Sequence, residues 1–481
     1  MSNRQLARGT LASGLVSVLK IFVQFVTLPL MARLVGPADY GLFGLAMPTV
    51  AFILLLADSG FGISLAREPE SNVDIWSSAV WFLLGSGIVL AGIVIVCSLI
   101  QAPLVNQPQL PHIMIVLALC PVLLALSVPA NARLTRQARL GIGSALELTA
   151  SLAAAGTAIA LGLWGAGVWS LVFQVVVYWL SKAILLNAAS PFFPRFRFLL
   201  KDLHPHLRVG GLILGGNLFD TGGRTVEASL VSHFLGTSFL GAFTFANQLP
   251  KFLTEAVSNS LWALLYAFAI RTDDNASVQR AHHLVLRVFA LGVFPVVVII
   301  SVLARPIVEI VLGPRWDSAI EILQILLVSQ ALNCLGGMSC AILYAAGKAA
   351  IPFRITIEGV ILRVLVVAAI PWIGPFGVAA GLGIIDIYLG CRGVWATSNF
   401  LGVQPSKVLL SVATPALASA AAGALCWGLA HVQFNPLGLN TFATVVVYVF
   451  AGGLLYALLI ALFEGRRILG EALTIYRLVR G

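Results

Sequence analysis

The stretch NLFDTGGRTVE, residues 217 to 227, places Asp220, Arg224 and Glu227 inside an apolar run that extends from Val209 to about Leu235. On an α-helix, offsets of four and seven residues return close to the starting angle, so the three charges share one arc of about 60°. Two chemistries suit such a stripe. Arg224 can neutralise Asp220 and Glu227 at i,i+4 and i,i+3 spacing and serve only to orient helices. Alternatively, the stripe faces a watery space, where the cation meets an anionic headgroup and a carboxylate takes up or releases an ion. Facing lipid is excluded, because three such charges would cost very roughly 8–10 kcal/mol on insertion scales.

The same choice recurs along the chain. Lys20, Asp58, Glu147, Lys251, Glu255, Glu358, Arg363 and Asp386 all fall in apolar windows. A bundle held by ion pairs alone has little reason to retain so many, so together they predict a solvated cavity. Lys20, Arg224, Lys251 and Arg363 are its candidate anion-binding members; Asp220, Glu227 and Asp386 are its candidates for coupling-ion or proton work. Lys251 and Glu255 can equally neutralise each other. Arg287 and Glu147 are expected to snorkel to the cytoplasmic edge. The glycines Gly210, Gly211, Gly215, Gly216, Gly222 and Gly223 suit either close helix packing or a bending gate.

The elements that must hold these groups are membrane helices. Of 481 residues, 59% are hydrophobic and only 10% charged, and the mean hydropathy is +0.98; no water-soluble domain of ordinary composition approaches this. Crossing about 30 Å of hydrocarbon takes about 20 apolar residues per helix, and the apolar runs have that length rather than the short alternation of barrel strands. The expected fold is an all-α integral membrane bundle. Its fourteen windows fall near 9–32, 41–66, 75–101, 112–131, 145–163, 168–188, 209–235, 240–269, 282–304, 320–343, 353–372, 376–400, 408–430 and 441–463.

The net charge of +10 points to nucleic acid only if the sidedness of the basic residues is ignored. With the N-terminus in the cytoplasm, 21 of the 29 lysines and arginines lie on the inner side, against Arg33, Arg305 and Arg315 outside. That asymmetry predicts a multi-pass protein with both termini cytoplasmic. The polar start MSNRQLARG leads into a span too long for a cleaved signal's apolar core, so the first helix is expected to be retained. Cys97, Cys120, Cys334, Cys340, Cys391 and Cys426 lack metal-type spacing and read as small packing residues. The loop 189–208, with PFFPRFRFLLKDLHPHLR, is basic and aromatic and reads as a linker lying on anionic lipid, with His204 and His206 interfacial rather than metal ligands.

That linker separates two related halves. RLVGPADYGLFGLA at 33–46 aligns without a gap with HFLGTSFLGAFTFA at 233–246, matching Gly36 to Gly236, Gly41 to Gly241, Phe43 to Phe243 and Ala46 to Ala246. GAGV at 165–168 resembles PFGV at 375–378. The expected organisation is a six-helix lobe at 1–188, the linker at 189–208, a second six-helix lobe at 209–400 as a parallel repeat, and two further helices with a basic tail at 401–481. In that register Lys20 corresponds to Asp220, Gln24 to Arg224 and Thr27 to Glu227, so both lobes carry polar groups at matching depth on their first helices.

At LPLMARLVGPADYGLFGLA (28–46), ADSGFGISLARE (57–68) and GAGVWSL (165–171), the chain resembles the polysaccharide transporter family, the Wzx-type flippases of the multidrug, oligosaccharidyl-lipid and polysaccharide exporter superfamily. The resemblance implies export of an undecaprenyl-diphosphate-linked oligosaccharide across the bacterial inner membrane, for exopolysaccharide, capsule or O-antigen assembly. It also implies a cationic central cavity, carried over as charge character at Lys20, Arg224, Lys251 and Arg363, with Gln24 beside Lys20. Besides that substrate, the implied partners are membrane lipids, with a polysaccharide polymerase and a chain-length regulator left open; no cofactor, metal or nucleic acid is implied. A peptidoglycan-precursor flippase and a drug or cation antiporter of the same superfamily remain alternatives. A membrane-bound polymerase or ligase would need substantial outer loops with catalytic groups, but these loops (102–111, 164–167, 236–239, 305–319, 373–375, 431–440) are short. No phosphate-binding loop, His-Glu-x-x-His or nucleophile elbow stands in a workable setting.

Overall fold

A computed structural model describes the backbone of residues 3–58, 62, 65–66, 68–69, 71–137, 139–198, 200–272, 274–432 and 440–480; the side chains of 3–15, 17–18, 21, 58, 140, 200–220, 256 and 466–480 lie outside the description. The described chain is all-helical, with no strand among these residues. In order, the helices are α1 (Asn3–Val35), α2 (Pro37–Asp58), α3 (Val73–Leu104), α4 (Leu110–Leu117), α5 (Leu119–Arg136), α6 (Leu140–Leu163), α7 (Val168–Ala189), α8 (Leu200–Arg271), α9 (Asn275–Val302), α10 (Ala304–Val311), α11 (Asp317–Ala345), α12 (Ala350–Ala368), α13 (Ile370–Leu401), α14 (Pro405–His431) and α15 (Thr441–Arg480).

Eleven segments among the described residues are long and apolar enough to cross a membrane. Three features account for the difference from the fourteen expected windows. The described apolar part of α1 is only Phe22–Val35. Helix α12 carries Arg354, Glu358 and Arg363, which dilute its hydropathy. The windows 209–235 and 240–269 lie in α8, a run of 72 residues that counts as one apolar stretch, Thr221–Glu255. An unbroken helix of that length would reach roughly 110 Å, more than twice a bilayer with its headgroups. It is broken at Gly236, whose φ of 81° only glycine adopts readily. Helix α13 breaks likewise at Gly374.

Packing divides the chain into two units, residues 1–244 with 363–372 and residues 245–362 with 373–481. In the first unit α1 packs on α6, α6 on α7, and α3 on α5. Trp76, Leu83, Leu124, Val128 and Leu65 form a buried core there. One end of this unit gathers the basic loops. The carbonyl of Pro191 accepts from Arg133 at 2.8 Å, Trp81 donates to the carbonyl of Arg195 at 2.9 Å, and Arg197 pairs with Asp74 at 2.6 Å. The described part of the linker is therefore fastened to the start of α3 by hydrogen bonds, beyond the lipid contact its composition predicted. Phe193 and Phe196 are left almost fully exposed beside Arg195 and Arg197. His204 and His206 lie outside the described residues.

The first unit also contains a reciprocal contact at a spacing of 200 residues. Gly36 and Gly236 both have positive φ, 84° and 81°, and each precedes a helical limb. A Cβ on Gly41 would land on the carbonyl of Thr237, one on Gly241 would land on the carbonyl of Pro37, and one on Gly44 would meet Thr244. Each partner thus faces the counterpart of the other's partner, as across a two-fold axis. Only small residues allow membrane helices this close a backbone approach.

In the second unit α9 packs on α14 and α11, and α14 on α15. Ile299, Leu303, Ala422, Cys426 and Tyr448 form its core. Arg287 does not snorkel. It is 1% exposed and its guanidinium binds Glu464, itself 6% exposed, at 3.0 Å through Nε and 2.5 Å through a terminal nitrogen. The physical reason is that α15 carries Glu464 at the end of its apolar stretch, Thr441–Gly465, and so brings a carboxylate to a buried arginine, which removes the need to reach water. Of the cysteines, Cys120, Cys340 and Cys426 are buried, whereas Cys391 is exposed.

Two outcomes are expected from this packing. Gly41→Val and Gly241→Val should each lower stability by about 1–3 kcal/mol in detergent, and the double variant should fall short of the sum because both relieve one contact; thermal unfolding checks both. Arg287→Met should cost about 3–5 kcal/mol by stranding Glu464, and adding Glu464→Leu should recover most of it.

Candidate functional site

Two polar clusters interrupt the apolar packing, one in each unit. In the first unit, Glu147 on α6 is shared by two lysines: Lys20 of α1 at 3.4 Å and Lys182 of α7 at 2.5 Å. Both ammonium groups lie over Tyr178, at 5.7 and 5.9 Å from the ring centroid, and Lys182 lies 5.3 Å over Trp179. The lysines are 28% and 13% exposed and the glutamate 27%, so the cluster is partly open to solvent. Two cations on one carboxylate leave an excess positive charge. The aromatic faces offset part of it without neutralising it.

Depth follows from helix length. Glu147 is seven residues from the start of α6 and Lys182 seven from the end of α7, about 10 Å along each axis. The cluster therefore lies two turns inside the helix ends. Glu147, expected to snorkel, instead holds the pair of lysines together. Lys182, expected at the edge of the inner loop, is a member of the site because α7 runs on to Ala189 before Pro191. The usable signal in the sequence was Tyr178-Trp179 one turn before Lys182, on the same helical face.

The remaining first-helix expectations divide. Gln24 and Arg224 are both exposed, and Thr27 and Glu227 are both 5% exposed. Thr27 donates to the carbonyl of Val23 at 2.7 Å. Arg224 and Arg363 are engaged by partners of their own. The side chain of Asp220 lies outside the described residues, as do those of Asp58, Gly210, Gly211, Gly215 and Gly216. Gly222 faces the ring of Phe52, as a packing glycine does.

In the second unit, a cavity of about 250 Å³ lies between α8 and α11, lined by Glu255, Asn259, Trp262, Gln330, Asn333 and Cys334 among others. Behind it, glycines bring two helices together. Added Cβ atoms on Gly336, Gly390 and Gly393 would strike the backbone of the facing helix, so α11 and α13 touch there. That approach lets the short Asn333 side chain donate to Asp386 of α13 at 3.2 Å. Asp386 is 2% exposed, so this carboxylate sits behind the cavity wall rather than in it. Lys251 is partly buried, one turn before Glu255, and engaged by its own partner. Glu358, another predicted intramembrane charge, accepts from Tyr388 at 3.3 Å and lies 3.5 Å from Arg392, a structural pair. No three His, Cys, Asp or Glu side chains among the described residues converge as metal ligands.

Residues 30–321 match a family described as polysaccharide biosynthesis protein. The chain belongs to that family. Among relatives of the polysaccharide biosynthesis family, it is 24% identical over 311 residues to the succinoglycan biosynthesis transport protein ExoT of Rhizobium meliloti, covering 64% of this chain but only 63% of that one. It is 22% identical to the teichuronic acid biosynthesis protein TuaB of Bacillus subtilis over 95% of both chains. It is also 22% identical to the lipopolysaccharide biosynthesis protein WzxC of Escherichia coli over 78% of this chain and 77% of that one. Its fold is that of a solved lipid II flippase, MurJ, in an inward closed conformation, with a TM-score of 0.77 over 95% of this chain and 99% of that one at 11% identity. An inward-facing multidrug MATE transporter follows at a TM-score of 0.63, 17% identity, and coverage of 79% and 94%. The fold is thus shared with these two solved membrane proteins.

The bridging role of Glu147 generates a direct test. Glu147→Gln should destabilise the protein by leaving two lysines facing each other, and a double-mutant cycle with Lys182→Met should give a coupling of about 1–3 kcal/mol. Unfolding of the purified single and double variants measures it.

Proposed function

We propose that this protein exports an undecaprenyl-diphosphate-linked oligosaccharide across the bacterial inner membrane by alternating access, supplying exopolysaccharide, capsule or O-antigen assembly. The observation that carries the reading is the Lys20–Glu147–Lys182 cluster. Inside hydrocarbon, a partly solvated site with one cation in excess has no purely structural use, because a structural network would be neutral. A diphosphate suits it: two anionic groups can replace part of the lysines' hydration while Glu147 keeps them positioned. Gln24, Arg224, Lys251 and Arg363 are further candidates for holding the substrate, the polyprenyl tail stays in lipid, and sugar hydroxyls travel through a solvated interior.

Fourteen spans, arranged as two six-helix lobes at 1–188 and 209–400 with two helices at 401–481, fit this function. The matched glycines at 36 and 236, the reciprocal crossing at Gly41 and Gly241, and the matched burial of Thr27 and Glu227 all support a parallel duplication. Two like lobes that meet through small residues can rock about their contact. Glu227 and Asp386, both buried, are the carboxylates whose change of charge would bias the rocking; Asp220 joins them by its place on the stripe. The basic loops that meet at one end of the first unit support cytoplasmic termini. A polysaccharide polymerase and a chain-length regulator are the downstream partners this role calls for.

Cells lacking the protein should accumulate lipid-linked repeat units on the cytoplasmic leaflet. Lys20→Gln with Lys182→Gln should reduce export at least tenfold, the loss of two charge-assisted contacts, while the Lys→Arg pair retains most of it. Unchanged export in the neutral double variant would remove the cationic site from the mechanism.

A further inference from the structure

We infer that the cavity between α8 and α11 is a sugar-binding subsite, separate in chemistry from the cationic cluster, and that it reads the glycan rather than the diphosphate. The inference rests on the export reading and adds to it a specificity-determining site. Its walls have the composition that carbohydrate recognition needs. Trp262 offers an aromatic platform held in one orientation, stacked on Tyr266 at 5.1 Å and 9° and packed edgewise against Tyr344 at 6.2 Å. The C–H face of a sugar ring packs against such a surface. Around it stand Asn259, Gln330 and Asn333, each with both donor and acceptor atoms, and Glu255, which in its ionised form only accepts. Sugar hydroxyls are donors and acceptors at once and satisfy that mixture.

The geometry also favours sugar over phosphate. Glu255 lines the cavity and Asp386 lies behind Asn333, so a diphosphate entering it would meet the Glu255 carboxylate with a second negative charge behind the wall, while Lys251 is not part of the lining. Asp386 has a positive use in this arrangement. By accepting from Asn333 at 3.2 Å it fixes that amide's orientation and leaves the amide oxygen to receive a hydroxyl. The site is deep. Asn333 is 12 residues, about 18 Å, from the end of α11 at Ala345, so a sugar held there has left the headgroup region. A volume of about 250 Å³ suits single sugar residues rather than a chain, which is what reading one position of a repeat unit requires.

The test compares two probes on the full chain in nanodiscs: undecaprenyl diphosphate alone, and the lipid-linked oligosaccharide extracted from cells lacking the protein. The wild type should bind the glycosylated lipid about tenfold tighter or more, the scale of two lost hydrogen bonds. Trp262→Leu and Asn333→Ala should abolish that preference and leave the affinity for undecaprenyl diphosphate unchanged, and Trp262→Phe should restore most of it. Three results would overturn the subsite: variants that keep the preference, variants that weaken both lipids equally, or a sodium-dependent stabilisation lost in Asn333→Ala while sugar preference persists, which would assign the cavity to a coupling cation. A wild type that binds neither lipid would instead sink the export reading itself.

Discussion

Hydrocarbon cannot hydrogen-bond, so every polar group this chain carries into the membrane has to find its partner within the protein or beside water. Arg287 and Glu464 show one solution, a pair so enclosed that together they behave as a neutral packing element. The Lys20–Glu147–Lys182 cluster shows the other, an unbalanced set kept partly wet. The difference between them is one of stoichiometry: equal charges can be sealed, whereas an excess charge demands solvent or a ligand. A membrane protein that keeps an excess charge inside its helices therefore also keeps a path by which an anion can reach it.

Glycine sets how close the helices that frame these groups can come. At Gly41 and Gly241 two limbs meet backbone to backbone in a contact that reads the same from either side, and at Gly336, Gly390 and Gly393 a second close approach puts Asn333 within reach of Asp386. Such contacts are short in area and made of backbone, so they are easily formed and broken as rigid bodies move, unlike an interdigitated core of large side chains. In the first unit this brings two helical limbs 200 residues apart into contact; in the second it brings Asp386 behind a cavity wall. One residue type serves both purposes because what it provides is proximity alone.

Much of this was legible beforehand, though unevenly. Helical class and the presence of intramembrane charge follow from local pattern, since a run of apolar residues has the same meaning in any context. The partners of the charges did not follow. Glu147 and Arg287 both looked like residues that would reach for water, because each stands near the end of an apolar window, and a snorkelling side chain and a paired one have the same local sequence. The cavity residues Asn259, Trp262, Gln330 and Asn333 escaped notice for another reason: neutral amides and aromatics in a membrane helix carry no signal until a second helix is seen opposite them.

The amino-acid sequence alone thus determined that the chain is a helical membrane bundle and that it carries charge within its apolar helices, because both depend on free energies summed over neighbouring residues. Which carboxylate answers which cation, which polar groups surround empty space, and which glycines touch were decided only by tertiary structure. Those outcomes depend on residues more than a hundred positions apart, as Lys20 and Glu147 are, meeting at distances of a few ångströms, and no local free energy specifies such a meeting.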